Sequence, residues 1–188
     1  FTLSATVSSH AGTVDLPNFD SIEALIDSGI AITAVAVCTP PQVRGEIACK
    51  AIAAGYAVML EKPPAATLSE FADIRRRANE RGVSLYATWH SRHAAMVPAA
   101  RNWLADRKVI AGRVAWCEDV RRWHPGQNWL WAPGGLGVFD PGINAFSILT
   151  KILPDQPHVA EAMLDIPASA HTPIAAQIVL RTGDANMT

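Results

Sequence analysis

Lys62 and Asp140 head the residues of this sequence whose types and spacing suit proton transfer. The tetrapeptide Glu61-Lys62-Pro63-Pro64 follows the short apolar run Ala57-Val58-Met59-Leu60. A strand that delivers an acid and a lysine to its carboxyl end, then stops on two prolines, presents charge at a defined place. In an open parallel sheet that edge is where ligands bind. Proline fixes φ and removes a donor, so the exit from the strand is stiff. On spacing alone such a lysine also reads as a solvated surface charge. Held in a dry cleft, it stabilises a developing alkoxide.

A second group follows in Gly135-Leu136-Gly137-Val138-Phe139-Asp140-Pro141-Gly142-Ile143-Asn144. Asp140 and Asn144 are four apart and share a face if this stretch is a helix. Asp140 can equally serve as an N-cap, with Pro141 in the first helical position. A cap does not account for Asn144, a poor mid-helix residue. Glu118 and His124 flank Arg121-Arg122-Trp123, and Trp123, Trp129 and Trp131 crowd one Gly/Pro-rich loop. Tryptophans in such a loop line a pocket wall; packing in a core is the plainer alternative. His90 and His93 are three apart, with no further thiolate or carboxylate at useful spacing, so no metal site is expected. Arg75-Arg76-Arg77 reads as a solvated helix face.

Composition narrows the classes. The chain has 188 residues, 49% hydrophobic and 18% charged, with a net charge of −1. That is enough for one large or two small domains with a real core. No Lys/Arg run could follow a phosphate backbone, so nucleic acid is not an expected partner. The apolar stretches are strand-length, far short of the roughly 20 residues of a membrane span. Cys38, Cys49 and Cys117 are odd in number and form no C-x-x-C pair. With no secretory leader pattern at the start, a reduced, cytoplasmic protein is expected.

Strands and helices alternate over the first ninety residues. Phe1–Val7 reads as a strand and Asp20 or Ser21 caps a helix ending at Gly29. Ile32–Val37 is a nearly continuous apolar run, the pattern of a strand buried on both faces. A helix over Gln42–Ala54 stops at Gly55. After the Ala57–Leu60 strand, Thr67-Leu68-Ser69-Glu70 is a capping box for a helix to about Arg81, closed by Gly82. Val83–Ala87 is the next strand. This order predicts an α/β fold with a parallel sheet and right-handed crossovers. The pattern changes near residue 92. A helix over Ala94–Ala105, a strand over Gly112–Val120, an aromatic loop, a helix from Asp140 to about Ile152, and strands at Val159–Leu164 and Ile174–Arg181 predict a second, α+β domain with an open sheet. Residues 1–92 and 93–188 are thus expected as two partial domains, dinucleotide-binding and then substrate-binding. No G-x-G-x-x-G is present, and Phe1–Val7 behaves like the second strand of a dinucleotide fold. A Rossmann domain lacking its first βα unit is expected, with weak dinucleotide binding by this stretch alone.

Taken together, these motifs resemble the Gfo/Idh/MocA family of sugar oxidoreductases. The resemblance rests on Cys38-Thr39-Pro40-Pro41 after a strand, Glu61-Lys62-Pro63 one βα unit later, and an Asp-led helix start in the second domain. Ala87-Thr88-Trp89-His90-Ser91-Arg92-His93 and Trp123-His124-Pro125-Gly126-Gln127 are similar to the family's aldose 1-dehydrogenases. The resemblance implies oxidation of the anomeric C1 hydroxyl of an aldopyranose, L-arabinose or D-galactose, to the lactone with NAD or NADP. It implies Asp140, Lys62 and Asn144 as catalytic residues. Glu118, His124, Trp123 and His90 become substrate contacts, and Ser8, Ser9, His10, Cys38, Thr39, Pro40, Glu61 and Lys62 cofactor contacts. It also implies a homo-oligomer joined through the open sheet. The wider family has histidine where Asn144 stands, which leaves Asp140 as the favoured base. Ser8-Ser9-His10 offers neither an acid for a ribose 2′-hydroxyl nor an arginine for a 2′-phosphate, so NAD against NADP stays open. A polyol or inositol dehydrogenase, and a non-catalytic NAD(P)-binding sensor, fit the same motifs.

Overall fold

The computed structural model describes residues 1–9, 14–183 and 185–187. They form two compact units, Phe1–Thr88 and Trp89–Thr188. The sequence pattern puts the change near residue 92.

The first unit runs β1 (Thr6–Val7), β2 (Asn18–Phe19), α1 (Ile22–Asp27), β3 (Ala34–Val37), α2 (Pro41–Ala53), β4 (Ala57–Leu60), α3 (Leu68–Arg81) and β5 (Leu85–Ala87). β3, β4 and β5 make a parallel sheet in that order. Local chemistry sets the helix limits. Ser21 accepts a hydrogen bond from the Ala24 N–H, and Thr67 from that of Glu70. α3 ends on Gly82 at φ 72°, in the left-handed region. α2 begins on Pro41 without a side-chain cap. Ile52 of α2, Leu60 of β4 and Ile74 of α3 are fully buried in one core with Val37 and Val58. The arginine triplet lies along α3, where Arg76 and Arg77 pair with Asp73 at 2.5 and 2.7 Å. Arg77 first, then Arg76, holds the Asp73 carboxyl below its usual range.

Two expectations for this unit are corrected. The strand expected over Phe1–Val7 is confined to Thr6–Val7, and it pairs in parallel with Asn18–Phe19, which no strand pattern marks. The Asn18 side chain supplies the missing preference: its Oδ1 accepts from Thr6 Oγ1 at 2.8 Å and its Nδ2 donates to the Ser8 carbonyl at 3.2 Å. The apolar run into Val37 is not buried on both faces. Val37 is buried, but Ala36 faces solvent with its register partners Met59 and Tyr86, 41% and 55% exposed.

The second unit begins with a 3₁₀ turn over His90–His93, then α4 (Val97–Leu104), β6 (Ala111–Gly112), α5 (Val120–Trp123), a 3₁₀ turn over Asn128–Leu130, α6 (Phe139–Ile152), β7 (His158–Asp165), β8 (Ala175–Thr182) and β9 (Ala185–Met187). Its sheet order is β6-β9-β8-β7. Only the β6–β9 pair is parallel. α6 packs against α4 and the His90–His93 turn. The long strand expected over Gly112–Val120 is also corrected: pairing stops at Gly112, and β9, which no pattern marked, is the partner. Residues 113–117 instead border an apolar cavity of about 670 Å³ with α6, β7 and β8. Beyond it the Asp119 carboxylate accepts from the Arg121 N–H and so opens α5 rather than extending a strand.

Candidate active site

In the first unit the carboxyl ends of β3 and β4 are tied together by Arg44, one turn into α2. Arg44 is 3% exposed. Its guanidinium donates to the carbonyls of Thr39, Glu61 and Pro63, the Glu61 bond being 2.6 Å. The Glu61 carboxylate accepts from its neighbour's N–H, that of Lys62, at 2.9 Å and from the Thr88 hydroxyl at 2.8 Å. The Lys62–Pro63 peptide is cis. Half-buried Lys62 is therefore flanked by backbone held from three strands. No sequence pattern singled out Arg44, because an arginine one turn into a helix reads as a surface charge. Only its five-donor fork spans several carbonyls at once. We expect Arg44→Leu to destabilise the fold by about 3 kcal/mol or more, at about 1 kcal/mol for each buried acceptor left unmet. A denaturant melt checks this, and a loss under about 1 kcal/mol contradicts it.

The residues present at this edge fit a dinucleotide in one testable respect. The Thr39 side-chain oxygen is buried without a hydrogen-bond partner. A polar atom left so is unusual and suits a ligand hydroxyl or amide. Cys38 is exposed beside it, and Pro40 precedes α2. Ser8 and Ser9 follow β1, with the Ser8 N–H donating to the Phe19 carbonyl at 2.9 Å. His10 lies outside the described residues.

In the second unit the structure brings His124, Asp140 and Asn144 onto and against α6. Asp140 and Asn144 are one turn apart and 6% and 8% exposed. The Asp140 Oδ2 is 2.9 Å from His124 Nε2. The N-cap alternative for Asp140 is corrected: the cap of α6 lies two residues earlier, at Val138, with no side-chain cap bond. Two tight backbone contacts set that start. The Gly137 N–H donates to the Leu130 carbonyl at 3.0 Å, and the Val138 N–H to the Pro173 carbonyl at 2.7 Å. Gly137 has φ 51°, and a Cβ there would meet the Pro173 oxygen at 2.4 Å, so only glycine is accommodated. Asp140 thus lies in the first turn, where the helix dipole favours a carboxylate.

Both ring nitrogens of His124 are engaged by protein groups. Nδ1 is 3.1 Å from Gln127 Oε1, and that oxygen also accepts from Trp129 Nε1 at 3.0 Å. The Trp129 ring meets the imidazole edge-on, with centroids 6.4 Å apart. The other expected contacts are not gathered here. Trp123 is exposed, under the Arg122 guanidinium at 5.0 Å, and Trp131 is half-buried. Glu118 is exposed and accepts from Trp116 Nε1 at 2.7 Å. His90 is exposed beside Ser91, on the turn that packs against α6. Among the described residues no group of three His, Cys, Asp or Glu could hold a metal ion. Likewise, no helix is long and apolar enough to cross a membrane.

Known proteins share this architecture. Residues 3–88 match the model of the oxidoreductase family with an NAD-binding Rossmann fold. Galactose 1-dehydrogenase of Pseudomonas fluorescens is 43% identical over 178 residues, covering 95% of this chain and 57% of that protein. The crystal structure of D-galactose-1-dehydrogenase from Rhizobium etli is 49% identical with a TM-score of 0.90, covering 100% of this chain and 61% of that one. The WlbA dehydrogenase from Bordetella pertussis, solved with NADH and UDP-GlcNAcA, shares the fold at a TM-score of 0.77 and 18% identity, covering 92% of this chain and 56% of that one. This chain therefore spans a little under two thirds of the length of these relatives. With its parallel βα sheet and the ordered Thr39-Pro40 and Glu61-Lys62-Pro63 motifs, the chain belongs to the Gfo/Idh/MocA oxidoreductase family.

Proposed function

We propose that the protein is an NAD(P)-dependent aldose 1-dehydrogenase, acting in the cytoplasm on the anomeric C1 hydroxyl of D-galactose or L-arabinose and releasing the lactone. The observation that carries this is the contact of half-buried His124 with buried Asp140 in the first turn of α6, with Asn144 one turn on. The two galactose dehydrogenase relatives, 43% and 49% identical, favour D-galactose. When bound, the nicotinamide supplies the hydride acceptor. The chain's own residues do the rest. The His124–Asp140 pair takes the O1 proton as C1 is oxidised. Lys62 stabilises negative charge building on O1, and Asn144 orients that oxygen. The family resemblance, rather than any placement beside His124, supports Glu118, Trp123 and His90 as contacts to sugar hydroxyls and C–H faces. His124 acts as the partner of Asp140 rather than through an unengaged nitrogen.

The test is NAD(P)H formation by the full-length protein with D-galactose, L-arabinose, D-glucose and myo-inositol, with the lactone detected chemically. Turnover confined to inositol makes the protein a polyol dehydrogenase. Cofactor binding without turnover of any of them makes it a sensor. Turnover with both NAD⁺ and NADP⁺ is expected, and a preference above about a thousandfold, roughly 4 kcal/mol, contradicts the open assignment of Ser8 and Ser9.

Cofactor placement has its own readout. Cys38 and Cys117 are exposed, whereas burial pushes the half-buried Cys49 thiol up. Less thiolate at neutral pH means slower alkylation of Cys49. A dinucleotide over Thr39 and Pro40 should protect Cys38 from iodoacetamide and leave Cys117 reactive. Equal rates for Cys38 with and without saturating cofactor, by mass spectrometry, contradict that placement. We also propose a homo-oligomer formed through the second unit's sheet, where Val159 and Met163 of β7 are exposed. A monomer in light scattering at micromolar concentration contradicts it.

A further inference from the structure

We infer that Gln127 and Trp129 are positioning residues that lock the tautomer of His124, and so ready the His124–Asp140 pair to take up a proton. The inference rests on the proposed role of that pair as the proton acceptor. It follows from donor and acceptor counting. An indole nitrogen can only donate. Trp129 Nε1 lies 3.0 Å from Gln127 Oε1, which fixes that atom as the amide oxygen. An amide oxygen can only accept. His124 Nδ1, 3.1 Å from the same oxygen, must therefore carry hydrogen.

The consequence appears at the other ring nitrogen. With hydrogen on Nδ1, a neutral imidazole presents a bare lone pair at Nε2. That lone pair faces Asp140 Oδ2 at 2.9 Å, in a site where Asp140 is 6% exposed. Two acceptors at that distance repel, and the repulsion is relieved when one proton enters between them. The opposite tautomer would donate Nε2–H to Asp140 and satisfy the contact with no added proton. Gln127 and Trp129 oppose that arrangement, because its bare Nδ1 would face the Gln127 oxygen at 3.1 Å. A proton released from a substrate hydroxyl then completes the Nε2–Oδ2 hydrogen bond, with His124 as imidazolium and Asp140 as carboxylate.

The lock is itself anchored. The Trp129 and Leu130 carbonyls would lie 2.3 and 2.4 Å from a Cβ on Gly135, so the loop is closed tightly on itself. The buried Thr172 hydroxyl donates to the Leu130 carbonyl at 2.8 Å, and the His171 N–H to that of Trp131 at 2.9 Å. The tryptophan stands on backbone held from two sides.

The experiment is ¹⁵N–¹H correlation of the full-length protein labelled at histidine, with variants Gln127→Glu, Gln127→Leu and Trp129→Phe. In wild type and Gln127→Glu, whose carboxylate still accepts, hydrogen is expected on Nδ1 of His124. In Gln127→Leu and Trp129→Phe the signal is expected to pass to the Nε2–H form. The same two variants should lose about tenfold in kcat, a fraction of the hundredfold or more of a full acid–base group, with KM within about twofold. Gln127→Glu should retain most of kcat, which a merely structural loop residue does not predict. A wild-type Nε2–H tautomer, or an unchanged spectrum in Gln127→Leu, overturns the lock whatever the turnover. An expected tautomer pattern in a protein inactive towards every aldose leaves the lock standing and overturns the dehydrogenase assignment instead.

Discussion

Asp140→Asn is expected to leave a folded protein with at most about a hundredth of the wild-type kcat, the lower end for a lost acid–base group, and a KM changed by only a few-fold. The side chain is buried and pairs with His124 at 2.9 Å. Asparagine fills the same volume, and its oxygen can still accept a hydrogen bond. It cannot hold a proton between itself and Nε2 as a carboxylate does. Stability should change little. Asp140 is not the cap of α6, so no cap bond is lost. One loss is the carboxylate's attraction to the helix N-terminus, about 0.5–1 kcal/mol. For a chain of this length that is about 1–4 °C in melting temperature. Asp140→Ala should melt lower, because it leaves a cavity at a buried position. Melting curves and initial rates for both variants decide the matter. An Asp140→Asn enzyme with more than about a third of wild-type kcat, in a reaction limited by chemistry, would return the base role to Lys62.

Lys62→Ala is expected to lower kcat/KM by about a hundredfold or more, the lower range for a group that stabilises a developing oxyanion. The turn around it should survive. Arg44 holds the carbonyls of Glu61 and Pro63 on either side, and Thr88 holds the Glu61 carboxylate. None of these bonds uses the Lys62 side chain, so the melting temperature should stay within a few degrees. Lys62→Arg should not rescue activity, because a planar fork does not reproduce a compact ammonium. Stopped-flow single turnovers with the preferred aldose separate chemistry from product release. A loss below about tenfold in that step would leave Lys62 as a solvated charge at a strand end.

Local pattern carried much of the first unit. The capping box at Thr67, the Gly82 stop and the apolar run ahead of Glu61 are made by residues close in sequence. Their preferences follow from backbone sterics and from hydrogen bonds a few positions away. The same holds for Asp140 and Asn144, whose spacing of four placed them on one face of α6 before any partner was known. Motif order likewise pointed to the family, because each motif is short and lies at a strand or helix end.

Tertiary structure alone decided who meets whom. Arg44 reaches Glu61 across 17 residues, and Thr172 reaches Leu130 across 42. β6 finds β9 rather than a continuation of its own strand. His124 read as a loop histidine, and only the fold shows Asp140 and Gln127 at its two nitrogens. Asp140 moved from cap to first turn because backbone contacts from Leu130 and Pro173 start the helix earlier. A residue's type states what it can donate or accept, and its periodicity states which face it occupies. Neither states which distant group lies opposite, because that depends on chain closure and on packing around Gly135 and Gly137, where backbone approaches too closely for any side chain.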